Sequence, residues 1–375
     1  MSVLFRRHNI DCGDQRRFSR ASRVETFADR RGFKNENGSI FVRIMDVETA
    51  QVRRAMSETY APSRTAPLDG YFSRFTERSF QQSNISERYH ENTKYTDHDA
   101  IELGESAALF TDDPSFEYIQ AAMRPDYEDA SRIDLPEPKP IDVPLDTVLA
   151  RRRSRRTHVP KPLDRSELGT LLGRALGVTT SRSIAPDSDP FGEVKKQFRA
   201  YASGGGLYPV EWYVAVGHGT DRIPAGLYYY VPEDHALRVL SEAEDPASFP
   251  STIDGCFATP EGVFDHTSTA VTLFMTASFG RTTAKYGPRG YRFVLQELGH
   301  AAQNLLLVAE AIDLAAVPIA SFYDDRVNEL LGVDGVNEAV IGTMSIGHRP
   351  PADAETPQED EETIGATKQP EQTHN

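Results

Sequence analysis

Cysteine is nearly absent from this chain: Cys12 and Cys256 are the only two among 375 residues. That excludes a disulfide framework and a cysteine-based zinc site. Lysine is scarce too, occurring only at positions 34, 94, 139, 161, 195, 196, 285 and 368, so arginine carries most of the positive charge. Acidic residues exceed basic ones, 56 against 41, for a formal net charge of −15. This balance argues against general nucleic-acid binding, which needs a basic face, and suggests a surface adapted to stay soluble in high salt. No apolar run reaches membrane-spanning length, and the stretch Met1-Ser2-Val3-Leu4-Phe5-Arg6-Arg7-His8 has no signal-peptide core. A soluble, cytoplasmic protein with no membrane or nucleic-acid partner is expected. His90, His98, His218, His235, His266, His300 and His348 show no i,i+4 pairing, so no helical metal motif is expected.

Hydrophobic residues make up 39 % of the chain, low for a fully packed globule, and the ends are where loose packing is expected. Residues 1–85 are polar and weakly periodic, with a candidate strand at 40–45 and a candidate short helix at 47–56, and no fold can be named for them. Residues 86–145 read as a wrapping arm and linker, carrying Pro136, Pro138, Pro140 and Pro144. Residues 350–375 are acidic and low in complexity, and are expected to be a disordered tail. Between 146 and 349 the pattern is α+β. Asp164 with Glu167 predicts a helix cap, Leu168, Leu171, Leu172, Ala175 and Leu176 line one face, and Gly177 ends it. Strands are expected at 210–216, 227–231, 237–240, 270–277 and 339–346, with a long helix over 291–313 that is apolar nearly all round at 305–309.

Four segments can carry chemistry. Arg151-Arg152-Arg153-Ser154-Arg155-Arg156 follows the proline-rich stretch at the end of a short helix beginning near Leu145. Arginine's planar fork suits phosphate, although a basic run can equally be a solvated face. Ser203-Gly204-Gly205-Gly206-Leu207-Tyr208-Pro209 would let backbone amides approach a planar or anionic ligand, or could be a flexible loop. It matches neither a Walker loop nor a dinucleotide fingerprint. Lys285 and Tyr286 are read as sitting at the end of a buried strand, where the ammonium would favour the phenolate, or where both side chains would be structural. Glu297-Leu298-Gly299-His300 lies within the long helix, where Gly299 costs about 1 kcal/mol against Ala and so points to close packing or ligand approach.

Order and spacing add what the separate segments lack. Tyr89-His90-Glu91-Asn92-Thr93-Lys94, Arg-Arg-Ser-x-Arg at 152–156, Ser-Gly-Gly-Gly-Leu-Tyr-Pro at 203–209 and Gly226-Leu227-Tyr228-Tyr229-Tyr230 are followed by Lys285-Tyr286-Gly287-x-Arg289-x-Tyr291-Arg292 and Gly299-His300-x-x-Gln303-Asn304. The set resembles the SagB-type, ThcOx-like branch of the FMN-dependent nitroreductase superfamily over roughly the last three quarters of the chain, tail excluded.

The resemblance implies a homodimer with a mainly antiparallel sheet wrapped by helices, a long helix buried at the dimer interface, and FMN bound between subunits. By the same resemblance Arg152, Arg153, Ser154 and Arg156 would hold the phosphate and ribityl chain, with Arg349 adding a phosphate contact. Ser203, Gly204 and Gly205 would approach the flavin ring from the partner subunit. Ala320 and Ser321 occupy the place of a glycine-rich turn facing the flavin, and depart from it. The implied activity is oxidation of thiazoline or oxazoline rings in modified peptides to azoles, with Lys285 and Tyr286 as the proton-abstracting pair, within a peptide-modification complex. Two alternatives stand beside it: a generic NAD(P)H-dependent nitro- or quinone reductase, and a non-catalytic flavin- or peptide-binding scaffold.

Overall fold

The computed structural model describes residues 85–95, 104, 124–185, 194–259 and 262–351. The expectations for the strand at 40–45, the helix at 47–56 and the acidic tail beyond 351 fall outside the described residues. In chain order the elements are helix α1 (Ile85–Asn92), strand β1 (Arg132–Asp134), α2 (Leu145–Arg151), α3 (Arg165–Leu176), β2 (Val178–Ala185), β3 (Val194–Arg199), β4 (Val210–Val216), β5 (Gly226–Val231) and β6 (Ala236–Glu242). They continue with α4 (Phe249–Asp254), β7 (Val271–Ser278), α5 (Phe279–Tyr286), α6 (Gly290–Ala311), β8 (Leu314–Ile319), α7 (Asp324–Leu331) and β9 (Glu338–His348). Among the described residues no helix is long and apolar enough to cross a membrane.

Seven strands form one sheet in the order β1-β6-β5-β4-β7-β9-β8, every neighbouring pair antiparallel. β2 and β3 make a separate antiparallel hairpin. Residues on β4 alternate between two cores, as strand geometry requires. Trp212, Val214 and Val216 face α3 and α6. Tyr213 and Ala215 face α4 and α7. Because helices cover both sides, β4 and β7 are buried at every position, which is why apolar residues dominate both faces of each strand and polar ones such as Glu211 are few.

The α3 helix begins with a capping box: Asp164 accepts the Ser166 and Glu167 amides, both at 2.7 Å, and Glu167 accepts the Asp164 amide at 2.8 Å. Such a cap contributes about 1 kcal/mol. The proline-rich stretch crosses this helix at two glycines one turn apart. A methyl on Gly169 would come within 2.9 Å of the Pro136 carbonyl, and one on Gly173 would overlap Pro138. Arg174 then fastens the crossing by donating to the Pro138 and Lys139 carbonyls.

The long helix α6 spans 22 residues, from Gly290 to Ala311, or about 33 Å at 1.5 Å per residue. A feature unexpected from the sequence precedes it. Lys285 and Tyr286 are not at the end of a strand; they form the last turn of α5, which Gly287 terminates at φ 58°.

Candidate active site

Gly204, Gly205 and Gly206 form a single 3₁₀ turn closed by the Gly206 amide on the Ser203 carbonyl. Gly205 and Gly206 have φ of 70° and 64°, a region that residues with a Cβ avoid. The turn is fixed from several sides. Ser203 Oγ accepts the Tyr208 amide at 2.9 Å, and Tyr208 itself is held at φ 46° with its hydroxyl accepting the Arg199 amide at 2.8 Å. The Ala202 carbonyl lies 3.0 Å from His300 Nδ1, and Asn304 donates to the Ala175 and Ala200 carbonyls. The Gly-His-x-x-Gln-Asn motif therefore anchors the chain as it enters the glycine turn. Gly299 plays another part, because a Cβ there would meet nothing within 4 Å.

Lys285 and Tyr286 converge on this turn. A methyl on Gly205 would lie 2.7 Å from the Tyr286 hydroxyl and 3.4 Å from Lys285 Nζ. A methyl on Gly206 would lie 3.0 Å from Lys196 Cε. Lys196 belongs to β3, a hairpin strand that the sequence does not reveal, and only the strand's pairing brings it here. Burial pushes the Tyr286 phenol up, and the Tyr95 phenol adds to that. Both effects favour the neutral phenol, the opposite direction from the phenolate expected of a neighbouring ammonium.

Beneath the turn, Glu297 is buried at 1 % exposure and accepts the Val210 amide at 3.3 Å. Burial pushes its carboxyl up to about 7, against the pull of the Ser203 hydroxyl and the Arg199 guanidinium. A fully buried ion pair joins Arg281 of α5 to Glu211 of β4, and Tyr229 donates to the other Glu211 oxygen at 2.5 Å. The pair ties the helix bearing Lys285 to the centre of the sheet.

The arginine segment lies elsewhere. The Arg155 amide donates to the Ala316 carbonyl of β8 at 3.2 Å, and its Nε is 3.5 Å from Glu310 in the last turn of α6. Arg153 donates to the Ala150 and Arg152 carbonyls. Arg152, Ser154 and Arg156 make no side-chain hydrogen bond or ion pair with the described residues. Arg349 closes the end of α6, 2.9 Å from Glu310 and 2.7 Å from Asp313, and donates to the Leu314 carbonyl. Ala320 and Ser321 lie past the end of β8, where Ser321 accepts the Ala258 amide at 2.7 Å and its hydroxyl is 3.1 Å from that of Thr259.

The donor set fits FMN. Arg152 and Arg156 present forks suited to a phosphate, and the Gly205 turn is a cradle that a Cβ would fill. The two features sit at opposite ends of α6. Gly204 is against Phe293 and Arg155 is against Glu310, about 25 Å apart along the helix.

A family model described as "Nitroreductase family" matches residues 149–348. A protein of Methanocaldococcus jannaschii described as a nitroreductase, MJ1384, is 32 % identical over 222 residues, covering 59 % of this chain and 98 % of that one. The microcin B17-processing protein McbC of Escherichia coli is 31 % identical over 139 residues, covering 36 % of this chain and 49 % of McbC. A solved structure from Anabaena variabilis, described as that of a nitroreductase, superposes with a TM-score of 0.51 at 27 % identity, covering 71 % of this chain and 46 % of that one. An antiparallel sheet between helical layers, a fixed glycine turn and a match over 149–348 lead to one conclusion: the chain belongs to the nitroreductase family.

Proposed function

We propose that the protein is an FMN-dependent oxidoreductase of the nitro- or quinone-reductase kind, working as a homodimer with a nicotinamide donor. The reading rests most directly on the split between the two half-sites. A single flavin cannot span the length of α6, so one protomer's Arg152 and Arg156 would hold the phosphate while the partner's glycine turn receives the ring. The exposed face of α6 supports such a pairing: Tyr291 and Leu295 are 38 % and 44 % exposed, and Gly299, one turn on, leaves open space. Bound FMN would supply the hydride-carrying centre. The protein's own groups orient it: the left-handed glycines keep one ring face uncovered, and Lys196 places positive charge beside the turn. Full-length coverage of the nitroreductase-described relative supports the reductase assignment.

The test is the absorbance spectrum of purified protein, with release and identification of the chromophore. Wild type is expected to carry close to one FMN per chain and Arg152→Ala/Arg156→Ala to carry less than about a tenth, since losing charge-assisted phosphate contacts costs several kcal/mol. Full flavin retention in the variant would remove the arginines from the site.

A second reading is favoured by one observation, the convergence of Lys285 and Tyr286 on Gly205. A reductase needs no base there, whereas oxidation of a thiazoline or oxazoline ring does. In that reaction the Lys285 amine takes the ring proton and the Tyr286 hydroxyl donates a hydrogen bond. The resemblance to McbC, named for microcin B17 processing, points the same way. Lys285→Ala should keep its flavin and its quinone reduction but lose azoline oxidation by about a hundredfold or more, the usual worth of a general base. Loss of quinone reduction alone would exclude this second reading.

A further inference from the structure

The Tyr-His-Glu-Asn-Thr-Lys motif at 89–94 lies well before the family-matched region at 149–348, and the flavin reading gives it no task. The structure docks it on the other signature run. Arg289 Nη1 donates to the Thr93 carbonyl at 2.8 Å, and Arg292 Nη2 donates to the His90 carbonyl at 2.6 Å. Both acceptors are at the C-terminal end of α1, where helix carbonyls lack intrahelical partners and cations are favoured. Tyr89 returns a hydrogen bond to the Pro288 carbonyl at 3.2 Å, and its ring meets Tyr291 edge-on at 5.6 Å. Arg289 also stacks over the Tyr95 ring at 4.4 Å, while the Tyr95 hydroxyl reaches the Tyr286 carbonyl at 3.5 Å. Arg289 and Arg292 are therefore occupied with backbone and ring contacts of 85–95. Tyr95 keeps 39 % of its surface exposed beside Tyr286.

We propose that segment 85–95 is a wall of the Lys285–Tyr286 corner, that Arg289 and Arg292 are positioning residues holding it there, and that the Tyr95 ring forms part of the face a substrate meets. On one side the turn at Gly287 is held by α5 and α6 themselves, through the Tyr286 ring edge-on to Phe293 at 4.8 Å and the close approach of Gly290 to Thr282. Segment 85–95 supplies a second brace from outside the matched region, on the Tyr286 and Pro288 carbonyls that flank Gly287. It also gives this chain a means of choosing substrates by the shape of an added wall. The part concerning substrate rests on the oxidoreductase reading; the bracing does not.

Hydrogen exchange on the full chain tests the bracing. In Arg289→Ala/Arg292→Ala, amides of 85–95 and of 285–287 should both exchange about tenfold faster or more, and Arg289→Lys/Arg292→Lys should recover most of the protection. Release of 85–95 with unchanged exchange at 285–287 would overturn the proposal. Steady-state quinone reduction tests the wall. Tyr95→Ala should raise KM about tenfold with kcat little changed, the mark of lost uniform binding, and Tyr95→Phe, which keeps the ring and loses only the hydroxyl contact, should recover most of that loss. An unchanged KM in Tyr95→Ala would remove the ring from the substrate face. If wild type holds no flavin, the oxidoreductase reading fails alone, and exchange still decides whether the segment braces the corner.

Discussion

Glu297 shows how much one residue under the glycine turn is asked to do. Its carboxyl is buried and titrates at about 7 in the folded protein, against an ordinary value of 4.5. Because the folded value is raised, the native state holds the proton more tightly than the unfolded chain. The resulting stability is complete below about pH 4.5 and is lost as pH rises through 7. Glu297→Gln keeps the acceptor for the Val210 amide without the charge. The variant should match wild type near pH 4 and exceed it by about 3 kcal/mol above pH 8, taking about 1.4 kcal/mol for each tenfold difference in proton affinity between the folded and unfolded chain. Urea unfolding at the two pH values measures this, and parallel curves would show that Glu297 does not hold a proton at neutral pH. His158 and His266 work in the opposite direction. Burial lowers each to about 4, so their contribution is complete above about pH 6.5 and falls away as the solution is acidified. The comparison of Gln with Glu isolates Glu297 from them. Lys285, Tyr286 and Gly205 were legible because they fall in contiguous runs. Glu297 stands in the Glu-Leu-Gly-His segment, but the sequence reading gives it no role of its own, although one acidic residue between Val294 and Ala301 on a buried face is a readable signal.

At the scale of elements, the strands buried on both faces were the easiest to read. Positions 210–216 and 270–277 are apolar enough to identify themselves. β8 was missed because Pro318 interrupts it, and proline is tolerated there only because β8 is the edge of the sheet. The hairpin of β2 and β3 was missed for a different reason. Its residues, Val178-Thr179-Thr180-Ser181-Arg182-Ser183 and Lys195-Lys196-Gln197, bury little on either side and give no alternation. Missing it hid Lys196, which is brought to Gly206 by the pairing of the two strands. α5 was read as strand end because its first residue, Phe279, prolongs the apolar run of β7. Its helical turn is fixed by Arg281, which must reach Glu211 on β4. A buried ion pair of that kind cannot be inferred from either residue alone, since removing one partner leaves an uncompensated charge and their separation in sequence carries no signal.

At the scale of the whole molecule, the length of α6 has a consequence for mixtures of chains. If each flavin is held by the arginines of one protomer and the glycine turn of the other, damage to the two ends can be complemented between subunits. A chain carrying Arg152→Ala/Arg156→Ala and a chain carrying Gly205→Val should each bind almost no FMN. Refolded together in equal amounts, half of the dimers are mixed, and each mixed dimer has one centre with both halves intact and one with neither. Bound flavin should recover to about a quarter of the wild-type level by this two-fold counting. No recovery would mean that each chain builds its own centre. Inheritance would follow the same rule: two defective copies of the chain, neither of use alone, could restore one another.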